Sequence, residues 1–237
     1  MNNILNKFKT YLKKDDERTF AKGICFEKLF FIFLIGSIIG AYYEQILNLI
    51  KVFYSTGDIV WKYRRGVIYG PFNVIYGFGA VVLVKLLLSK ERKWYEIIIY
   101  GALFGGIIEY LLNFLQEIFT HTVSWDYSDR FLNINGRTTI PYMLFWGLFS
   151  LFFLKCIYPP ISNLIEKIPY KFGTIIMKIM LIFMIANMLI SWTAIIRQSL
   201  RRNDVKPFTF VGRIYDKYYT DEFLMKYFPN MIPREEN

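Results

Sequence analysis

Long apolar runs alternate with short polar segments along this chain, and the pattern predicts helices that cross a membrane. The runs cover residues 29–50, 70–89, 96–119, 140–158 and 172–196. Each is about 19–25 residues long, and a helix rising 1.5 Å per residue needs about 20 residues to cross the ~30 Å hydrocarbon core. No long alternating strands that could close a barrel occur. The sequence therefore predicts an all-α integral membrane protein with about five transmembrane helices, of which the fourth is the weakest because it is short and ends in Pro159–Pro160.

The segments outside this helical domain (29–196) are charged. Residues 1–28 are predicted to form a basic amphipathic N-terminal segment, and residues 197–237 a polar C-terminal tail. In the first segment one helical face is apolar and is flanked by lysines, a pattern typical of a helix on an anionic membrane surface. This face consists of Ile4, Leu5, Phe8 and Leu12. A frayed basic tail is an equal alternative. The excess of basic residues before the first apolar run favours a cytoplasmic N-terminus.

Composition narrows the class of protein. Hydrophobic residues make up 54% of the 237 residues, aromatic residues 19%, and the net charge is +10. Because the basic residues flank the apolar runs, the charge indicates lipid headgroups and no nucleic acid. The sequence therefore predicts a multi-pass protein of the cell membrane, with the lipid bilayer as its partner.

Side chains that could hold a metal or a cofactor are scarce. Cys25 and Cys156 are isolated thiols, and His121 is the only histidine. No cofactor and no transition-metal site are expected. A hard-cation site at Asp126 and Asp129 is an alternative with little support.

An internal repeat is the most informative feature. Residues 36–44 and 101–109 both read G-x-x-x-G-x-x-x-E, in the first and third runs. The second and fourth runs open with "PFNVIYG" (71–77) and "PYMLFWG" (141–147), and an arginine precedes each, Arg65 and Arg137. The first four helices are therefore predicted to form two helical hairpins related as parallel repeats.

Spacing of four places the repeated residues on one face of each helix. The helix-packing glycines are Gly36, Gly40, Gly101 and Gly105. Because such glycines let backbones approach closely, the first and third helices are expected to cross at these faces. The two glutamates, Glu44 and Glu109, would then meet near one membrane side. The alternative is that the glycines only pack and the glutamates are unrelated.

A carboxylate within a span is costly, at about 2.5–3.5 kcal/mol for Asp at a helix centre, so it usually faces a cavity or a partner charge. We expect a neutralised cluster of Glu44, Glu109, Arg65 and Arg137. The stretch "WDYSDRFLNINGR" (125–137) carries the turn dipeptide Asn135–Gly136 and is interpreted as a lid on that cluster, with a solvated loop as the alternative. The other candidate site residues are Tyr69, Tyr76, Trp125, Asp126, Tyr127, Asn133, Asn135 and Trp146.

These residues also carry a family resemblance. "YRRGVIYGPFNVIYGFGA", "WDYSDRFLNINGR", "LFWG" and the final "DEFLMKYFPNM" resemble the CmpB-like family, described as putative type IV ABC-transporter permeases, over roughly residues 29–231. The chain departs from the family pattern at Asn73–Val74, where the family often has Cys-Pro. The resemblance implies a multi-pass membrane protein that serves as a permease-like component.

Three functions are compatible with these observations. The first is a permease-like component whose Arg/Glu cluster binds an anionic or amphiphilic ligand; since the chain has no G-x-x-x-x-G-K-[ST] loop, it needs a separate ATPase subunit. Five spans are few for a translocation path, so a homodimer is expected. The second is a membrane-embedded enzyme acting on a lipid or lipid-linked substrate, with arginines holding phosphate and a glutamate as base. The third is a structural or interaction protein.

Overall fold

The computed structural model describes residues 19–229 and 231–233, and within them the fold is mainly helical. The predicted amphipathic face of residues 4–12 lies outside the described residues. In chain order the helices are α1 (Phe26–Thr56), α2 (Val74–Leu87), α3 (Trp94–Thr120), α4 (Ile140–Phe152), α5 (Tyr158–Glu166), α6 (Tyr170–Arg202), α7 (Phe210–Tyr218) and α8 (Asp221–Tyr227). Four short strands, β1 (Thr122–Val123), β2 (Asn133–Ile134), β3 (Thr138–Thr139) and β4 (Ile232–Pro233), form two antiparallel pairs, β1 with β4 and β2 with β3.

Four helices in the described part of the chain are long and apolar enough to cross a membrane. They are α1, α3, α6 and the continuous helix Ile140–Glu166, which joins α4 to α5. The predicted second span contains a shorter apolar helix, α2, of 14 residues. At 1.5 Å per residue α2 is about 21 Å long, less than the ~30 Å hydrocarbon core.

The second helix is short because the residues before it cannot be helical. The predicted span began at Gly70, but Gly70 has a φ of 75°, a left-handed conformation that a helix does not contain. The following Pro71 disfavours a helical backbone at the residue before it. Residues 66–73 therefore form a non-helical segment, and the helix begins only at Val74.

The backbone of this non-helical segment is paired by α6. The Ile68 amide donates to Ser191 Oγ at 2.8 Å, and the Tyr69 amide donates to Asn187 Oδ1 at 3.1 Å. Asn187 Nδ2 in turn donates to the Tyr69 carbonyl at 2.7 Å. Non-helical backbone at membrane depth is tolerated only where its polar groups are paired away from lipid. Asn187 and Ser191, both nearly fully buried, supply that pairing.

The fourth predicted span is longer than expected. It continues through Pro159 and Pro160 to Glu166 instead of ending at residue 158. A π-helical turn, Phe153–Ile157, precedes the prolines, and the Tyr158 amide bonds to the Phe153 carbonyl. Proline lacks an amide donor and breaks a regular helix interior. Here both prolines occupy the first turn of α5, where the absence of a backbone N–H donor costs little. The π turn before them accommodates the change in the hydrogen-bonding pattern of the helix.

The glycine face of α1 packs against α2. A Cβ atom added at Gly36 would lie 3.1 Å from Ala80 Cβ and 3.4 Å from Gly77 Cα. One added at Gly40 would collide with the ring of Tyr76. The two glycines therefore make room for α2, the helix that follows α1 in the chain.

The glycine face of α3 packs in the same way against α4. A Cβ atom at Gly101 would lie 2.5 Å from Ser150 Oγ and 3.3 Å from Gly147 Cα, and one at Gly105 would collide with Trp146. The expected crossing of the first and third helices at these faces is therefore wrong. Each glycine face is instead covered by the helix that follows it in the chain. An aromatic ring of that helix, Tyr76 or Trp146, occupies the space beside the second glycine of the face.

At the end of α1 remote from Glu44, a buried lysine joins α1 to α5. Lys28 is 0% exposed, and its Nζ donates to Ser162 Oγ at 2.5 Å, to the Ser162 carbonyl at 3.0 Å and to Glu166 at 2.7 Å. A lysine ammonium has three donors, so each has an acceptor. This contact fixes the start of α1 against α5.

The C-terminal tail is folded against the opposite end of α6. Arg197 forms a two-bond contact with Asp216 on α7, at 2.8 and 2.7 Å. Arg201 bonds both Asp216 and Asp221. The end of the described chain, β4, pairs with β1 directly after α3, so the tail lies on the same side as the loop that follows α3.

Candidate functional site

Glu44 is held by a tyrosine and an arginine. The Tyr76 hydroxyl donates to Glu44 Oε1 at 2.6 Å, and Arg64 Nη1 lies 3.4 Å from Glu44 Oε2. Arg64 Nη2 also donates to Asn48 Oδ1 at 2.9 Å. Since Asn48 is four residues after Glu44, both acceptors lie on one face of α1. Arg64 thus connects two consecutive turns of this helix.

Arg65, which was expected to neutralise Glu44, has different contacts. Its guanidinium lies over the ring of Tyr63, 4.3 Å from the centroid, and 5.1 Å from the ring centroid of Tyr227. Arg65 is therefore not part of the expected cluster, and the preceding residue, Arg64, contacts Glu44 instead. Arg65 instead connects the segment before α2 to the C-terminal tail.

Glu109 is bonded by neutral donors. Thr138 Oγ1 donates to Glu109 Oε2 at 2.6 Å, and the Tyr127 hydroxyl donates to Oε1 at 3.2 Å. Among the described residues, no lysine or arginine forms an ion pair with Glu109. Its place corresponds to that of Glu44, because Trp146 lies against Gly105 as Tyr76 lies against Gly40.

Arg137 binds later turns of α3 instead of Glu109. Its Nη1 lies 2.5 Å from Glu117 Oε2 and donates to Asn113 Oδ1 at 2.9 Å, and its guanidinium carbon lies 5.1 Å from the ring centroid of Phe114. The expected Arg137–Glu109 pair is thus not formed. Arg137 is held one to two turns further along the helix.

The two asparagines were missed, although the sequence carries the signal. Asn48 and Asn113 each follow their glutamate by four residues, so the repeat reads G-x-x-x-G-x-x-x-E-x-x-x-N in both copies. Asn48 is 8% exposed and Asn113 is 1% exposed, and each accepts from an arginine at 2.9 Å. Extending the pattern by one more turn would have found both residues. We call Glu44, Asn48, Arg64, Glu109, Asn113 and Arg137 the Arg–Asn cluster.

The stretch 125–137 is folded by its own side chains. Asn133 Nδ2 donates to the Ser128 and Arg130 carbonyls, and Asn133 Oδ1 accepts from the Gly136 amide at 3.0 Å. Asp126 Oδ1 accepts from the Ser128 amide and hydroxyl. The turn expected at Asn135–Gly136 is present, since both residues have positive φ, 50° and 66°. The loop is therefore an ordered structure.

Two bonds attach this loop to α3, and a third closes the loop between its first and last residues. Trp125 Nε1 donates to the Arg137 carbonyl at 2.9 Å, and Asn113 Nδ2 donates to the Trp125 carbonyl at 2.7 Å. Asn135 Nδ2 donates to the Tyr110 hydroxyl at 3.0 Å. Asn113 thus bonds Arg137 through its oxygen and the loop through its nitrogen.

Tyr127 is the loop residue that bonds Glu109. Its hydroxyl bonds Glu109, and its ring centroid lies 4.8 Å from that of Tyr142. Burial, followed by the charge and hydrogen bond of Glu109, raises the pKa of Tyr127 well above its ordinary value, and the charge of Glu44 also contributes. Tyr127 therefore joins the loop to the Glu109 carboxylate.

Tyr69, which was expected in the same cluster, lies elsewhere. Its hydroxyl is 2.8 Å from the Tyr219 hydroxyl in the tail, and its backbone is bonded by Asn187. Among the described residues, no group of three or more His, Cys, Asp or Glu could hold a metal ion.

Comparison with known proteins gives one family. The family model described as "Putative ABC-transporter type IV" matches residues 31–192, more than half of the chain. No curated protein and no solved structure matches. The matched range begins within α1 and ends within α6, and it includes all of the Arg–Asn cluster and the loop 125–137.

Proposed function

We propose that this chain, which belongs to the family described as putative type IV ABC transporters, is the permease-like membrane component of such a transporter in the cell membrane. The Arg–Asn cluster at one membrane face binds an anionic or amphiphilic ligand. The observation that carries the proposal is the arginine held by an asparagine of the same repeat position in each half of the matched region, at 2.9 Å in both.

The donor balance of the cluster favours an anion. In the described part of the chain, Arg64 Nε, Arg137 Nε and Asn48 Nδ2 are buried donors without a hydrogen-bond partner. Buried donors of this kind favour an acceptor-rich group such as a phosphate or a carboxylate. Guanidinium groups bind both groups by two parallel bonds, which lysine cannot do.

Exposed rings beside the cluster favour an amphiphilic ligand. Tyr43 is 43% exposed, Tyr142 40% and Phe145 49%. Tyr142 packs on Tyr127, which bonds Glu109, so an apolar surface begins directly at the polar cluster. A molecule with a charged head and an apolar body matches this juxtaposition.

The recurrence of the contacts supports the two-hairpin arrangement. The α1–α2 pair and the α3–α4 pair each place an aromatic ring on the second glycine and beside the glutamate. In the proposed arrangement, the non-helical segment 66–73 adds to α2 the length that α2 lacks for a crossing. The two hairpins then enter the membrane in the same direction, as parallel repeats.

In this proposal the energy for transport comes from a separate ATPase subunit. The 237 residues contain no G-x-x-x-x-G-K-[ST] phosphate loop, so a separate ATPase subunit would hydrolyse ATP. Because the chain has few spans for a complete path, two copies would form it. Co-isolation from the native membrane tests this: a complex that hydrolyses ATP supports the transporter, and an isolated chain without an ATP-hydrolysing subunit contradicts it.

Ligand binding is tested separately with a defined anionic phospholipid. Wild type and the double variant Arg64→Gln/Arg137→Gln are placed in nanodiscs of mixed phosphatidylglycerol and phosphatidylcholine, and bound lipid is counted by native mass spectrometry. Loss of retained phosphatidylglycerol in the variant is expected. The control is Lys90→Gln, an exposed basic residue in the loop between α2 and α3, which should leave lipid retention unchanged. Equal retention in all three proteins would contradict the proposed site.

A further inference from the structure

Helix α7 exposes an apolar face that nothing in the described chain covers. None of its residues is buried. The exposed side chains include Phe210 at 69%, Val211 at 56% and Tyr218 at 60%, and Phe208, just before the helix, is 84% exposed. Large side chains grouped in this way mark an interaction surface.

Basic residues lie beside this face, and the acidic residue lies opposite. At 3.6 residues per turn, Phe210, Ile214 and Lys217 share the outward side of α7, with Arg213 at its edge. Asp216 points inward, where it bonds Arg197 and Arg201 of α6. The Arg197 bond, and after it the Arg201 bond, lowers the pKa of Asp216. The outward surface therefore combines apolar rings with positive charge.

The tether to α6 sets the depth of α7. No charged residue occurs in α6 between Lys178 and Arg197. These 18 intervening residues span about 27 Å of helix, close to the ~30 Å hydrocarbon thickness. The hydrocarbon boundary therefore lies near Arg197. Because Thr193 Oγ1 is 2.6 Å from the Tyr215 hydroxyl and Arg197 bonds Asp216, α7 lies beside α6 at that boundary.

We propose that α7 is an interfacial helix that binds the surface of the cell's own anionic membrane. Its apolar side chains enter the outer acyl region, and Arg213 and Lys217 bind lipid phosphates. Charge complementarity and the position beside the last polar turn of α6 favour lipid over a protein partner. A helix with an apolar face and basic flanks typically lies in the interface plane. This inference does not rest on the proposed transport function.

The test measures the depth of α7 in the full chain. In a Cys25→Ser/Cys156→Ser background, Ile214→Cys carries an environment-sensitive fluorophore, and the protein is placed in nanodiscs containing phosphatidylglycerol and nitroxide-labelled lipids. Quenching at a depth of about 5–10 Å below the headgroup boundary is expected. The same label at Glu222→Cys, an exposed polar position on α8, is the control and should be quenched weakly.

Two results would overturn the proposal. The first is a blue-shifted label that lipid nitroxides do not quench, which indicates a protein partner or a second copy on this face. The second is quenching that does not decrease when phosphatidylglycerol is replaced by phosphatidylcholine. The variant Arg213→Gln/Lys217→Gln should remove the difference between the two lipids while the helix keeps its Asp216 tether.

Discussion

The Arg64 guanidinium donates to the side-chain oxygen of Asn48 across 2.9 Å, one helical turn beyond Glu44. The same relationship, at the same distance, joins Arg137 to Asn113 beyond Glu109. The equivalence ends at the carboxylates, because Arg64 also contacts Glu44 whereas Arg137 contacts Glu117. The two halves therefore share the arginine–asparagine contact but differ in the glutamate that the arginine pairs with.

Gly40→Leu should unpack α1 from α2. A side chain at this position meets the ring of Tyr76, whose hydroxyl bonds Glu44, so the substitution separates the helices and breaks that bond. Overpacking of this kind costs about 1–3 kcal/mol or more, so Tm in detergent should fall by several degrees. Gly79→Leu on α2 is the matched control, since a Cβ there meets no atom within 4 Å. Equal Tm values for the two variants would exclude the packing described.

Asn187→Leu should destabilise the non-helical segment before α2. The substitution leaves the amide and the carbonyl of Tyr69 without a partner. Each unsatisfied buried group costs about 1–3 kcal/mol, so thermal unfolding should shift clearly. The comparison is Asn203→Leu at the exposed end of α6, where the side chain bonds only the Ser199 carbonyl. A larger effect at position 203 would contradict the role given to Asn187.

Tyr127 should ionise later than an exposed tyrosine. Its pKa is raised from 10.0, chiefly by burial and then by Glu109. Because the folded-state pKa lies above the unfolded one, the stability that the neutral phenol contributes is complete below about pH 10 and is lost only as the pH rises through the folded value. Phenolate absorbance near pH 10 should therefore be the same in wild type and Tyr127→Phe. A phenolate signal that the substitution removes at that pH would contradict the contact with Glu109.

Acid should loosen α7 from α6 only at low pH. The pKa of Asp216 is lowered from 3.8 by Arg197 and Arg201. A lowered folded pKa gives stability that is present above the unfolded value and lost as the pH falls through the folded value. A fluorophore on α7 should therefore report no change between neutral pH and about pH 5, and release below about pH 4. Asp216→Asn should loosen α7 from α6 at neutral pH, whereas Asp204→Asn, at an exposed position in the linker before α7, should not.

Hydropathy identified the membrane class and the approximate position of each helix. It placed the start of α2 at Gly70, four residues early, because hydropathy does not detect the left-handed backbone of Gly70. The end of the fourth span was missed for a similar reason: a π turn accommodates the two prolines, and no residue pattern announces such a turn.

The candidate site was predicted only in outline. The repeat located Glu44 and Glu109 and the loop beside them, but not which of two adjacent arginines contacts Glu44. Arg64 and Arg65 differ by one position, and only the path of the chain before Gly66 decides which side chain reaches α1. Likewise, glycine spacing indicates a close helix contact and not the identity of the neighbour.

The bonds that join Tyr69 to Asn187 have a mechanical consequence. Segment 66–73 begins two residues after Arg64, and near its middle Tyr69 is hydrogen-bonded to Asn187 of α6, a helix of 33 residues. A translation or rotation of α6 would move that segment with it, and would so change the distance between the Arg64 guanidinium and α1. A force on the tail at one end of α6 would in this way displace the Arg64 guanidinium, because the buried Asn187 side chain couples α6 to the segment.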